Sequence, residues 1–165
     1  MIAEFAILNA RILIVDDQVV NVQLLEQLLS EAGYTNVAST MDPQAVCARH
    51  AADPYDLILL DLKMPGMDGF QVMEALKEGR VDRYLPVIVL TAEPGHKLRA
   101  LQAGAKDFIS KPFDLVEVKT RIHNMLEVRL LYKKLDNYSK LLEVALQQGS
   151  AELGSPSRKG NAQAA

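Results

Sequence analysis

Apolar residues arrive along this chain in two rhythms. Short unbroken runs, "RILIVD" at 11–16, "YDLILLD" at 55–61 and "PVIVLTA" at 86–92, show no alternation with polar positions. Runs of that length, rich in aliphatic and β-branched residues, predict strands buried on both faces. Weaker runs, "TNVAST" at 35–40 and "KDFIS" at 106–110, predict two more strands. Between the strands the apolar positions take helical spacing. Residues 19–33 carry Val20, Leu24, Leu25, Leu28 and Leu29 ahead of Gly33, a C-cap residue. Asp42-Pro43, an N-cap followed by proline at the first helical position, opens a helix over 43–52. Segments 69–78 and 95–104 suit helices with Gly79 and Gly104 at their ends, and a longer helical segment starts after Pro112.

Five strands alternating with five helices, the strands buried on both faces, predict an α/β fold: a doubly wound parallel sheet with helices on each side and right-handed crossovers. In such sheets functional groups collect at the carboxyl ends of the strands. The first strand ends at Asp16-Asp17, the third at Asp61, the fourth at Thr91, and the fifth runs into Lys111. The fold therefore draws three acids, a hydroxyl and a lysine from separate stretches to one edge.

Composition narrows the function classes. The 165 residues favour one domain with an appendage. A net charge of -3 with both signs interspersed gives no electrostatic case for direct nucleic-acid binding. Cys47 stands alone, so no intramolecular disulfide framework exists, and its helical apolar surroundings suit a small core residue. The start, "MIAEFAILNARILIVDD", lacks a basic n-region and a cleavage site, and no run reaches the ~18 apolar residues of a membrane span. The expected location is the cytoplasm, with no membrane contact.

The strand-end residues sit in "VDD" (15–17), "LLDLKMPGMDGF" (59–70), "VLTA" (89–92) and "KPF" (111–113). Together and in order they make the chain, from residue 11 to about 126, resemble the receiver domain of bacterial two-component response regulators, of the chemotaxis-regulator-like superfamily. The resemblance implies a flavodoxin-like five-stranded sheet of order 2-1-3-4-5. It also implies a signalling switch rather than an enzyme, with metal-dependent self-phosphorylation and self-dephosphorylation. Asp61 is then the phosphoryl acceptor, supplied by a sensor histidine kinase or phosphotransfer protein. Asp16, Asp17, Asp61 and the backbone carbonyl of Lys63 hold Mg2+ or Mn2+. Thr91 and Lys111 contact the phosphoryl group, Phe108 matches the aromatic switch position, and the bond before Pro112 is cis. Phe108 also reads simply as core, and Thr91 as a β-branched strand end.

Elementary chemistry supports the metal independently. Carboxylates within ~5 Å of one another repel by roughly 3 kcal/mol per pair at an effective dielectric near 20. One lysine does not offset that for three acids, whereas magnesium prefers oxygen ligands and bridges carboxylate to phosphate. Lys63 and Glu93 lie two residues beyond Asp61 and Thr91. They are expected to flank the phosphoryl group, and a pair between them would screen it from water; two unrelated exposed charges are the simpler alternative.

The last helix is expected to run on through 123–148. Val128, Leu131, Leu135, Tyr138, Leu142 and Ala145 step by three and four, with Arg129, Lys133, Lys134, Lys140 and Glu143 between them. That is a heptad stripe, which predicts a parallel homodimeric coiled coil; folding back on the domain is the alternative. The expected organisation is a receiver over 1–126, a helical extension or linker over 127–148, and a disordered Gly/Ser/Ala-rich tail over 149–165. A downstream effector domain or protein would receive the signal. Two rival functions fit less well. A haloacid-dehalogenase-type phosphatase needs an acid two residues after its nucleophile, where this chain has Lys63, and a Rossmann-like nucleotide site needs a Gly-rich turn where this chain has "DDQVVN".

Overall fold

A computed structural model describes residues 1–79 and 84–153. In chain order the elements are α1 (Glu4–Leu8), β1 (Ile12–Val15), α2 (Val19–Glu31), β2 (Val37–Thr40), a 3-10 turn (Pro43–Ala45) leading into α3 (Val46–Ala52), β3 (Leu57–Asp61), α4 (Gly69–Glu78), β4 (Val87–Thr91), α5 (His96–Gln102), β5 (Asp107–Ser110) and α6 (Leu115–Leu153). The five strands form one sheet in the order β2-β1-β3-β4-β5, every pair parallel. This is the doubly wound order that the sequence resemblance implies.

The unbroken apolar strands follow from having two buried faces. Ile12, Ile14, Leu57, Leu59, Ile88 and Leu90 point to one side, where Ile7 of α1, Leu25 and Leu29 of α2, and Val118, Ile122 and Leu126 of α6 cover them. Leu13, Val15, Ile58, Leu60, Val87 and Val89 point to the other, against Val46 of α3, Val72, Met73 and Leu76 of α4, and Ala100 of α5. Successive residues of a strand alternate between these two cores, so no position in β1 or β3 faces water. Caps sit where the sequence places them. Asp42 Oδ1 accepts from the Gln44 amide at 2.9 Å. Asp68 and Gln71 form a reciprocal capping box that starts α4. Gly33 takes a φ of 95° after α2.

Three features depart from the sequence reading. The apolar stretch before β1 forms the short helix α1, which buries Ile7. On α2 the buried positions are Val22, Leu25, Leu28 and Leu29, whereas Val20 and Leu24 are exposed. At roughly 100° per residue Val20 and Leu24 share one flank of the helix, outside the arc that Val22, Leu25, Leu28 and Leu29 turn to the core. α6 continues to Leu153, past the expected end at 148; residues 154–165, the rest of the expected tail, lie outside the described residues. The chain divides into two compact units, Met1–Leu131 and the stretch from Tyr132. Among the described residues no helix is long and apolar enough to cross a membrane.

Candidate functional site

The parallel register carries the site. Val15 is opposite Leu60, Asp61 opposite Leu90, and Thr91 opposite Ser110. The residues that follow β1, end β3 and β4, and follow β5 therefore emerge along one edge. Asp16, Asp17 and Asp61 each bring a carboxylate oxygen within 4.8 Å of the others. Lys111, held by its amide to the Thr91 carbonyl at 2.9 Å, reaches Asp61 Oδ1 at 3.1 Å and Asp16 Oδ2 at 3.3 Å. The Lys111–Pro112 bond that precedes α6 is cis.

The acids are unequally placed. Asp16 is fully buried, and its second oxygen accepts from the Gln18 amide at 2.9 Å. Asp61 is buried, and the Lys63 amide approaches its Oδ1 at 3.4 Å. Burial, reinforced by the neighbouring Asp16 charge, pushes the Asp61 carboxyl above its ordinary value; Lys111 pulls in the other direction without reversing the outcome. Asp17 Oδ1 is buried with no hydrogen-bond partner. A buried carboxylate oxygen without a donor is costly. Three hard oxygen donors converging with one of them orphaned is a set that a divalent cation satisfies, so the residues present fit such an ion.

The loop after Asp61 explains its own Pro/Gly content. Gly66 adopts a φ of 81°, which side-chain-bearing residues rarely take. Gly69 opens α4 directly against the end of β3. A Cβ there would stand 2.6 Å from the Asp61 carbonyl oxygen and 2.9 Å from Leu62 Cα. The close approach of α4 thus holds the backbone of Asp61 in place, a role the sequence reading did not give to Gly69.

Thr91 is buried at the edge, and its hydroxyl is engaged by its own loop, accepting from the Glu93 amide at 3.0 Å. Lys63 and Glu93 do form an ion pair across the two loops. His96 joins them, its Nε2 lying 3.2 Å from the second Glu93 oxygen; the sequence reading passed over it. Phe108 sits in register with Val89, two residues before Thr91. Lys97 Nζ lies 4.5 Å and the Arg121 guanidinium 5.2 Å from its ring centre. Phe108 is therefore half-buried against the core on the side of α4 and α5, with a cation from α5 and another from α6 near its ring.

Along α6, Val128, Leu131, Leu135, Tyr138 and Leu142 are all exposed, as are Leu141, Val144 and Leu146 off that stripe. Arg129 is not one of the solvated charges between them. It is 2% exposed and packs with Asp56 and the Tyr84 carbonyl. Its sequence position between stripe residues gave no sign of this, because the helix turns that side toward the sheet.

Known proteins agree with this arrangement. Residues 12–123 match the family model described as response regulator receiver domain. Response regulator PleD of Caulobacter vibrioides is 42% identical over 130 residues, which cover 78% of this chain and 28% of that protein. The chain thus spans little more than a quarter of that relative's length. Among solved structures, Vibrio cholerae chemotaxis protein CheY4 superposes with a TM-score of 0.65 at 28% identity, covering 71% of this chain and 98% of that one. The receiver domain of the Pseudomonas aeruginosa sensor histidine kinase PA1611, determined with a magnesium ion in its active-site cleft, gives a TM-score of 0.66 at 30% identity over 72% of this chain and 98% of that one. With the sheet order, the strand-end acids and the Lys111 contact in place, the chain belongs to the response regulator receiver domain family.

Proposed function

We propose that this chain is a phosphorylation-dependent signalling switch with Asp61 as its acceptor. The observation that carries the reading is the Asp61 carboxylate itself. It is buried at the end of an apolar strand, its Oδ1 is taken by Lys111 and the Lys63 amide, and its Oδ2 has no protein partner among the described residues. Oδ2 is the nucleophile. It attacks the phosphorus of a kinase or phosphotransfer-protein phosphohistidine in line; the P–O bond forms, the P–N bond breaks, and its electron pair stays on the imidazole. Lys111, already bound to the carboxylate, is positioned to neutralise charge on the transferred group. Asp16, Asp17, Asp61 and the Lys63 carbonyl would hold Mg2+ or Mn2+, which when bound neutralises the carboxylates and the phosphoryl oxygens.

After transfer, the Thr91 hydroxyl leaves its loop contact for the phosphoryl group and Phe108 repacks, shifting the population of the surface formed by α5, β5 and α6. The Lys63–Glu93 pair screens the acyl phosphate from water. The exposed stripe Val128, Leu131, Leu135, Tyr138 and Leu142 supports a homodimer through α6, whose geometry carries the signal to an effector domain or protein in the cytoplasm. A small phosphodonor with Mg2+ tests the core of this reading. One phosphoryl group per chain is expected by mass spectrometry, absent from Asp61→Ala and absent with chelator. Undiminished labelling of Asp61→Ala, or continuous hydrolysis of the donor without a stable acyl phosphate, would overturn it.

A further inference from the structure

Five polar or charged residues are buried among those described: Asp16, Asp61 and Thr91 at the acceptor edge, and Asp56 and Arg129. The last two meet at the opposite edge of the sheet. Asp56 directly precedes β3 and Tyr84 lies three residues before β4, so both mark where strands begin. Arg129 Nε stands 3.6 Å from Asp56 Oδ1, and its Nη1 donates to the Tyr84 carbonyl. The other Asp56 oxygen accepts from the Arg11 amide at 2.9 Å, just ahead of β1. One buried carboxylate and one buried guanidinium therefore join α6 to the starts of three central strands. Arg129 lies six residues beyond the stretch matched by the family model, which ends at 123, and within the last turn of the first structural unit.

Apolar packing alone sets the rotation of a helix loosely at its end. Val118, Ile122 and Leu126 dock α6 on the sheet, but past Leu126 half-buried Leu130 is the only apolar neighbour against the core among the described residues. A guanidinium that donates to a carbonyl while its charge lies against a buried carboxylate is restricted to a narrow range of directions. With Arg129 turned inward, residues one before and two after it fall roughly 100° and 160° around the helix, and Val128 and Leu131 are 49% and 42% exposed. We propose that Arg129 and Asp56 are positioning residues: a buried polar latch that fixes the rotation of α6 at the end of the first unit, and so selects the face on which Val128 and Leu131 stand. The latch rests on the proposed helix-mediated output only for its purpose. Its geometry is tested without phosphorylation or dimerisation.

A buried ion pair is suited to this task. Replacing both partners of a buried pair by neutral groups is often nearly neutral in stability, while removing one leaves an excess buried charge. In a Cys47→Ala background, single cysteines at 130 and 131 report the rotation through their rates of thiol labelling in dilute, monomeric protein. With the latch intact, the 131 site is expected to react at least tenfold faster than the 130 site. In Asp56→Asn/Arg129→Met the ratio is expected to fall below threefold while the melting temperature stays within a few degrees of the parent. Arg129→Met alone should lower the melting temperature by roughly 10 °C, and Arg129→Lys should recover part of the ratio. An unchanged labelling ratio in the double variant overturns the latch. Failure of Asp61 to take up a phosphoryl group would instead overturn the proposed function and leave this ratio untouched.

Discussion

Asp61→Asn should make the protein more stable. The substitution keeps the shape of the side chain and removes its charge. Asp16, Asp17 and Asp61 approach within 4.8 Å of one another, and at an effective dielectric near 20 a pair of unit charges at that distance repels by about 3 kcal/mol. Ionised Asp61 meets two such repulsions, the one from half-buried Asp17 weakened by solvent. Lys111 at 3.1 Å opposes them with an attraction of about 5 kcal/mol on the same scale. The opposing interactions nearly cancel, and burial then tips the balance against the charge, which is why the Asp61 carboxyl titrates above its ordinary value. The asparagine variant should gain about 1–2 kcal/mol at neutral pH without divalent cation, raising the melting temperature by about 3–6 °C. The sign of the pH dependence follows from the raised pKa. Folded Asp61 holds its proton to a higher pH than unfolded Asp61, so wild-type stability is lost as pH climbs from the ordinary value of 3.8 through the folded value. Below 3.8 both states are protonated and the variant gains nothing. Thermal unfolding followed by circular dichroism at pH 7 and at pH 3.5, both with chelator, measures the difference. A melting temperature for Asp61→Asn equal to or below wild type at pH 7 refutes the reasoning. So does a gain of equal size at both pH values. Added Mg2+ should narrow the gap, because it stabilises the wild-type site by mass action.

Three further outcomes follow from the same geometry. Gly69→Ala drives a Cβ into the Asp61 carbonyl and the Leu62 backbone, and should cost about 1–3 kcal/mol together with a slower rate of phosphoryl uptake; chemical denaturation and phosphodonor kinetics measure both, and wild-type values would show that α4 can simply move aside. Lys63→Ala removes the pair with Glu93 and should shorten the aspartyl-phosphate lifetime by about two- to fivefold, in keeping with the ~0.5–1 kcal/mol of an exposed pair; an unchanged lifetime excludes the screening role. Leu135→Ser with Leu142→Ser should weaken self-association by about a hundredfold or more, read by sedimentation equilibrium; a wild-type chain that is already monomeric at tens of micromolar (roughly the range where a three-heptad helix pair assembles) removes the dimer.

Much of the candidate site was legible in the sequence. Strands β1, β3 and β4 announce themselves because two buried faces demand unbroken apolar runs, and a parallel sheet brings their carboxyl ends to one edge whatever lies between them. Asp16, Asp17, Asp61, Thr91 and Lys111 are positioned by that register alone. Helix α4 was equally plain, since Gly79 marks its end in the local sequence, whereas the Asp68–Gln71 box at its start came from the structure. Val20 and Leu24 are exposed although they fit the helical spacing, because an apolar stripe wider than the contact leaves its flank in solvent, and the spacing does not say which flank.

What only the tertiary structure decided are the relations between segments distant in the chain. Lys63 and Glu93 are thirty positions apart, and only the stagger of two loops joins them with His96. Gly69 reads as an ordinary first residue of a helix until the end of β3 is seen to occupy the space of its missing side chain. Arg129 looked like a solvated charge between heptad positions, and its burial depends on Asp56 and Tyr84, more than forty residues away in sequence. Local periodicity determines which elements form and which ends of strands converge. The direction a charged side chain takes is set by desolvation and by the partner available across the fold, and no window of neighbouring residues contains that information.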